Sequence, residues 1–334
     1  MQRPALVLSG GNALGAYHVG AWKALDGAGV EPGWIVGTSI GALMAVIIAG
    51  NAPGNRVAAL EEFWRRASVS DGGASILPAS LRAPVQYGQA LVSRMFGRAP
   101  LFTMRVPDLT GRNDTPGLFD ATPMRRLVAE LVDFERVNSG DIRVTVVALN
   151  LATGGEVTFD TAEAPLQLNH VMASAALIPD FPPVEINGCH YVDGGLSSNL
   201  PVHVIFDDLA AEGSAPLTCF AVDLFPSAAP LPRGLLKAAQ RQSDLIFASQ
   251  TVRALLQLQR RWAGHRPGGT IFHIAYEANE QETALKGFDF GSGSIARRIA
   301  DGQQDMERQL EIFRANAAAV EGLTIHAHPP GTNT

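Results

Sequence analysis

The sequence predicts an α/β fold: a central, mostly parallel sheet flanked by helices. Three observations carry this. A short apolar strand at 5–9 (ALVLS) runs into Gly10-Gly11-Asn12 and then a helical pattern over 16–28. The order repeats at once, with a strand at 34–38 followed by an apolar helix over 40–50. Strand, glycine turn and helix in succession is how parallel sheets are wound. Finally, a chain of 334 residues, 46% hydrophobic and 17% charged, is long enough to cover such a sheet on both faces.

The remaining elements follow in order. Residues 55–68 read as an amphipathic helix with Val57, Leu60, Phe63 and Trp64 on one side. The stretch 70–118 is punctuated by glycine and proline, and the pattern predicts an irregular insertion with only short helical pieces. Pro123 suits the first turn of a helix over 122–135. Strands at 142–149 and 156–160 are joined by Thr153-Gly154-Gly155, a hairpin turn. A helix at 166–176 leads to strand pieces at 184–186 and 190–192, and 217–225 reads as a core strand. A long helix (235–263), a strand (270–276) and a final helix (294–319) complete the chain, whose last ten or so residues read as frayed. The expected division is a catalytic domain over 1–210 and an extension over 211–334 packed on it.

Composition narrows the function classes. The formal net charge of −6 argues against a nucleic-acid binder. Cys189 and Cys219 cannot staple a fold of this size. The N-terminal apolar run is too short for a secretory signal, and the longest apolar stretch, 40–49, is about half a membrane span. The expectation is a soluble, cytoplasmic protein. No spacing of His, Cys or carboxylates predicts a metal site, and no cofactor is expected.

Three motifs carry chemistry. Gly37-Thr38-Ser39-Ile40-Gly41 is a G-x-S-x-G between a buried strand and a helix, the setting in which a serine sits on a tight turn with its hydroxyl outward. The competing structural role is a helix cap. Gly10-Gly11-Asn12-Ala13-Leu14-Gly15 lies at the other strand-to-helix junction, where successive backbone N–H groups can converge on an anion. Alone it fits a nucleotide loop and an oxyanion hole equally well. Asn12 stands where a dinucleotide fingerprint needs glycine, and the serine turn downstream favours the oxyanion reading. Asp193-Gly194-Gly195 is by itself an ordinary turn and gains weight only from the other two.

Together these resemble the patatin-like phospholipase family, through SGGNALGAYHVG at 9–20, GTSIG at 37–41, MASAALIPDFPPVEINGCHYVDGG at 172–195 and NLPV at 199–202. LFDATPMRRL at 118–127 and the C-terminal extension are similar to a bacterial subgroup. The resemblance implies a patatin-like three-layer fold and a serine–aspartate dyad without histidine, acting on lipid acyl esters through an acyl-enzyme. By motif position Ser39 is the nucleophile and Asp193 its base. Gly10, Gly11 and Asn12 supply oxyanion N–H groups, and Gly15, Gly37, Gly41, Gly194 and Gly195 shape the turns. The family commonly has glycine at position 12 and arginine at position 14, where this chain has Asn12 and Leu14. A water-restricted, apolar surround for Asp193 is expected, since a carboxylate in water is a poor base.

Rivals remain open at this stage. A histidine triad would draw on His265, His273, His326 or His328, while His18, His190 and His203 lie near the motifs. The same dyad fits a soluble-ester hydrolase or acyltransferase, and a hole impaired by Asn12 would leave a non-catalytic lipid binder. Two basic stretches suggest a lid or peripheral contact with an anionic membrane. In 81–112, Arg82, Arg94, Arg98, Arg105 and Arg112 face only Asp108. In 233–266, Arg233, Lys237, Arg241, Arg253, Arg260, Arg261 and Arg266 face Asp244.

Overall fold

The computed structural model describes residues 3–70, 79–105, 116–209, 216–277, 282–316 and 321–328. Strand β1 (Ala5–Leu8) leads to helix α1 (Ala16–Gly27), and β2 (Trp34–Thr38) to α2 (Ile40–Ala49) and α3 (Arg56–Ala67). Next come α4 (Ala79–Phe96), then β3 (Gly97–Arg98), β4 (Phe102–Met104) and β5 (Phe119–Asp120). They are followed by α5 (Thr122–Leu131), α6 (Phe134–Val137), β6 (Arg143–Asn150), β7 (Glu156–Asp160) and α7 (Leu168–Ser174). Then come β8 (Val184–Ile186), β9 (Cys189–Asp193), α8 (Val202–Leu209), β10 (Leu217–Asp223) and α9 (Leu235–Arg261). β11 (Gly269–Ala275), α10 (Ser292–Ala315) and β12 (Leu323–His328) end the chain.

The central sheet runs β12-β11-β10-β1-β2-β6-β9-β8, with β7 also on β6. From β12 to β6 every pairing is parallel, and β7, β8 and β9 pair antiparallel. β1 is buried along its whole length because both faces are covered, which is why it reads as an unbroken apolar run. Leu6 and Leu8 face a core built with α1, α2, α3 and α10, while Ala5 and Val7 face α8 and the C-terminal end of α9. Helices therefore lie on both sides of the sheet, the three-layer order expected.

Several expectations need correction. Residues 79–96 form one helix rather than short pieces, and β3, β4 and β5 make a small antiparallel sheet within and beside the insertion. Its Phe102 gathers Phe119, Phe181, Phe288 and Phe290 around it, so local alternation had little to show and long-range aromatic contact does the organising. Residues 71–78 and 106–115 lie outside the described residues, and with them Asp108 and Arg112. The helix at 122–135 is broken at Val132, which is extended. α8 was not anticipated. Of the last residues expected to fray, 323–328 pair with β11 as an edge strand, and 329–334 lie outside the described residues.

The division at residue 210 also changes meaning. β10 pairs with β1, and β11 and β12 continue outward, so the last third of the chain supplies strands to the central sheet itself. It also packs α10 against α1 at paired glycines. A Cβ on Gly20 would strike the backbone of Ile299 and Gln303, and one on Gly302 the backbone of Tyr17. We expect Gly20→Ala to cost about 1–3 kcal/mol, the usual penalty of overpacking. Gly27→Ala on the same helix meets nothing within 4 Å and should be nearly neutral. Urea unfolding of both variants checks the difference.

Candidate active site

The site is built on one edge of β6. β2 covers that edge in parallel as far as the pair Thr38–Val147. Beyond it β9 takes over antiparallel, starting from Asp193–Ala148. β7 occupies the opposite edge. β2 and β9 thus run toward each other along a single edge, and the residues at their converging ends are Ser39 and Asp193.

Ser39 has φ 56° and ψ −123°, a conformation unusual for any residue with a Cβ and one that costs roughly 1–3 kcal/mol. Its own N–H donates to Ser174 Oγ (2.9 Å), and the Ser174 hydroxyl donates to the Val147 carbonyl (2.6 Å). α7 thereby pins the turn to β6. The Ser39 side chain makes no capping bond to α2, so its hydroxyl is not serving as a helix cap. The flanking glycines are needed for close approach. A Cβ on Gly37 would lie 2.5 Å from the Gly41 carbonyl, and one on Gly41 would collide with the Leu8 backbone.

The Ser39 side chain adjoins the Asp193 carboxylate at the wall of one cavity, and Asp193 Oδ1 accepts the Gly195 N–H at 2.7 Å. Asp193 is 3% exposed. Burial raises its carboxyl to about 6, with Ser39 and Gly195 pulling the other way. A Cβ on Gly194 would lie 2.5 Å from the Val147 carbonyl oxygen, and one on Gly195 2.9 Å from Asn199 Oδ1. Those contacts leave the turn room only for glycine.

The loop after β1 approaches Ser39 closely, since a Cβ on Gly10 would fall 3.1 Å from Ser39 Cβ. Its expected donor set needs one correction. The Gly10 N–H donates to the Asn199 carbonyl (3.2 Å), and Asn199 Nδ2 donates to the Gly10 carbonyl (3.2 Å). Gly10 is thus already paired. Gly11 and Asn12 stand at the open N-terminal end of the 3₁₀ turn Asn12–Gly15, where first-turn N–H groups have no intrahelical acceptor. Asn12 is left-handed, with φ 53°, a conformation asparagine tolerates. Gly15 abuts Ile40 and Trp64, which brings that turn tight onto α2 and α3.

Ser39, Asp193, Gly10, Gly11 and Asn12 all line one cavity of about 230 Å³. Most of its wall is apolar and aromatic, including Leu43, Phe63, Trp64, Phe102, Phe225 and Phe247, while Asp180, Ser243 and Lys286 also line it. No histidine lines it among the described residues. His18 is buried on α1, with its pKa lowered to about 3 by burial, and His273 sits on β11 beside Asp223 (3.6 Å). Among the described residues no group of His, Cys, Asp and Glu could hold a metal ion.

Side chains that the sequence motifs did not single out hold the site. Arg298 on α10 is fully buried and donates to Glu282 through Nε (3.0 Å) and Nη2 (2.8 Å), and to the Ala13 carbonyl through Nη1 (3.1 Å). Burial pushes the Glu282 carboxyl up, but Arg298 outweighs it and holds it at about 2. This ion pair grips the Asn12–Gly15 turn from behind. Ser174 lies within the quoted 172–195 segment, yet its small hydroxyl gave no signal of the Ser39 bond.

The model of a family described as patatin-like phospholipase matches residues 6–206, and a second, described as patatin phospholipase, matches 240–318. Lysophospholipase NTE1 of Scheffersomyces stipitis is 26% identical over 207 residues, which is 59% of this chain and 10% of that protein. The chain therefore spans about a tenth of that relative. Among solved structures, VipD from Legionella pneumophila superposes with TM-score 0.45 at 16% identity, over 93% of this chain and 67% of that one. The type III effector protein ExoU gives TM-score 0.36 at 13% identity, over 94% and 54%.

The buried carboxyl has a consequence for stability. Its folded pKa lies above its unfolded value, so its contribution is fully present below about pH 4 and is lost as pH rises through 6. Asp193→Asn should therefore become more stable relative to wild type between pH 4 and 7, by on the order of 2–3 kcal/mol. Denaturant titrations at the two pH values measure it, and a pH-independent difference would contradict the burial.

Proposed function

The chain belongs to the patatin-like phospholipase family, and on that premise we propose that it is a lipid acyl hydrolase cleaving carboxylic esters through Ser39 and Asp193. One observation carries this: Ser39, on a strained turn, adjoins the buried carboxylate of Asp193 at the wall of a mostly apolar cavity. Asp193 takes the Ser39 proton as Oγ attacks the ester carbonyl. The oxyanion formed is held by the N–H groups of Gly11 and Asn12, with the positive end of the short turn behind them. Collapse of the tetrahedral intermediate expels the alcohol, which takes its proton from Asp193. Water, deprotonated by Asp193, then attacks the acyl carbonyl, and the Ser39 oxygen leaves with that proton from Asp193, which releases the carboxylic acid and restores both residues. A carboxyl near 6 is ionised at neutral pH and basic enough to take a proton in the transition state.

The aromatic cavity wall supports an acyl chain as the bound group, and the name of the curated relative supports a phospholipase or lysophospholipase substrate. A soluble ester or acyl transfer would use the same dyad, and binding without turnover would use neither residue. These are outcomes of the same assay. Ser39→Ala and Asp193→Ala should each lower kcat/KM on p-nitrophenyl acyl esters by at least about 10³-fold, as loss of a nucleophile or its base does. A fluorophosphonate should label wild type at Ser39 and leave Ser39→Ala unlabelled. Because the base must be ionised, kcat/KM should rise with pH through a midpoint near 6 and then level.

Peripheral membrane contact belongs to the same reading, though on apolar groups rather than on the arginines. Arg94 pairs with Asp180 (2.9 Å) and stacks over Phe288, and Arg98 donates to the Ala67 carbonyl (2.7 Å). Both are turned inward. Around them α4 exposes Leu91, Val92, Met95 and Phe96, the last 61% exposed. α9 exposes Leu245 and Ile246 between the cavity residues Ser243 and Phe247. No helix among the described residues is long and apolar enough to cross a membrane. Val92→Ser with Phe96→Ser should weaken binding to phosphatidylcholine–phosphatidylglycerol vesicles at least about tenfold, from the apolar area withheld. Reversing the charge of Arg253 and Arg260 should matter less in a sedimentation assay.

A further inference from the structure

Gln250, on α9 and far in sequence from every motif, makes two hydrogen bonds with one amide. Its Oε1 accepts the Asn199 N–H (3.0 Å), and its Nε2 donates to the Gly195 carbonyl (3.2 Å). Each bond leads directly into the site. The other side of Gly195, its N–H, is the donor to Asp193 Oδ1 at 2.7 Å. Asn199 is the residue that brackets Gly10 by accepting its N–H and donating to its carbonyl, both at 3.2 Å. Contacts here have no slack, since a Cβ on Gly195 would lie 3.0 Å from Asp193 Oδ1 and one on Gly10 2.5 Å from Asn199 Oδ1.

We propose that Gln250 is a positioning residue for the reaction, its amide fixing the turn that carries Asp193 relative to the loop that carries the oxyanion donors. The inference rests on the Ser39–Asp193 reading above. Gln250 does not line the Ser39 cavity; it borders a separate cleft of about 320 Å³ with Glu156, Ser197 and His203, and so reaches the site from behind. Only an amide serves both partners. Glutamate keeps the acceptor for Asn199 and offers no donor to the Gly195 carbonyl, while methionine keeps the length and offers neither.

The test compares full-length wild type, Gln250→Met and Gln250→Glu on p-nitrophenyl esters across pH 4.5–8, with fluorophosphonate labelling rates and thermal unfolding of each. Gln250→Met should lower kcat by about tenfold or more with KM within about twofold, because reacting groups are displaced while the cavity is untouched. The acid limb of kcat/KM should move to higher pH in both variants, since Gly195 no longer holds its N–H on the charged form of Asp193. Gln250→Glu should keep more kcat than Gln250→Met through its bond to Asn199. Labelling should slow in parallel with kcat. Wild-type kcat and an unmoved acid limb in both variants, with wild type active and labelled, would overturn the positioning role alone. So would a fall in kcat that only tracks loss of folded protein. Wild type that neither labels nor turns over any ester would overturn the dyad reading and this role with it.

Discussion

Two strands meeting head-on along one edge of β6 are the constraint from which the rest follows. A strand edge offers a fixed row of backbone donors and acceptors, so where β2 stops and β9 begins is set to the residue. Thr38 ends one row and Asp193 ends the other, on adjacent positions of β6. Two residues more than 150 positions apart in the sequence are thereby brought beside each other. The chain must leave this edge abruptly on both sides, and that accounts for the strain at Ser39 and the glycines at 194 and 195. Ser174 closes the arrangement by tying the strained turn to the β6 carbonyl opposite Thr38.

The second support comes from the C-terminal third. The loop after β1 has few hydrogen bonds of its own, the Leu14 N–H to the Gly11 carbonyl being one. Its carbonyls are held instead, Ala13 by Arg298 and Gly10 by Asn199. On the proposed reaction, holding those carbonyls fixes the loop while leaving the Gly11 and Asn12 N–H groups for the oxyanion. Arg298 can be buried because Glu282 and backbone carbonyls engage its guanidinium from several sides, and leaving any of them unpaired in that interior would be strongly destabilising.

Much of the site was legible in the sequence, for a definite reason. Ser39, Asp193 and the glycines around them serve turns whose backbone geometry admits few residue types, so the requirement is written locally. The α/β class was legible through the continuous apolar runs of strands covered on both faces. What escaped was long-range. Gln250 and Arg298 lie on helices where polar and charged residues ordinarily face solvent, and only the packing of α9 and α10 turns them inward. The arginines at 94 and 98 read as a basic surface because their partners, Asp180 and the Ala67 carbonyl, lie elsewhere in the chain. β12 does carry a local signal, the apolar–polar alternation of LTIHAH, which the reading of the tail as frayed passed over.

The placement of β10 beside β1 bears on when the candidate site is first assembled. Synthesis delivers the chain from its N-terminus, so the serine turn and the Asp193 turn emerge well before β10, α9 and α10. Until those arrive, β1 has no neighbour on one edge, and neither Gly195 nor Ala13 has its partner from the last third. A nascent chain that has passed both Ser39 and Asp193 still lacks the groups that hold their turns in register. The candidate site is thus held together only once α9 and α10 have emerged and packed, whatever the order in which its own turns were made.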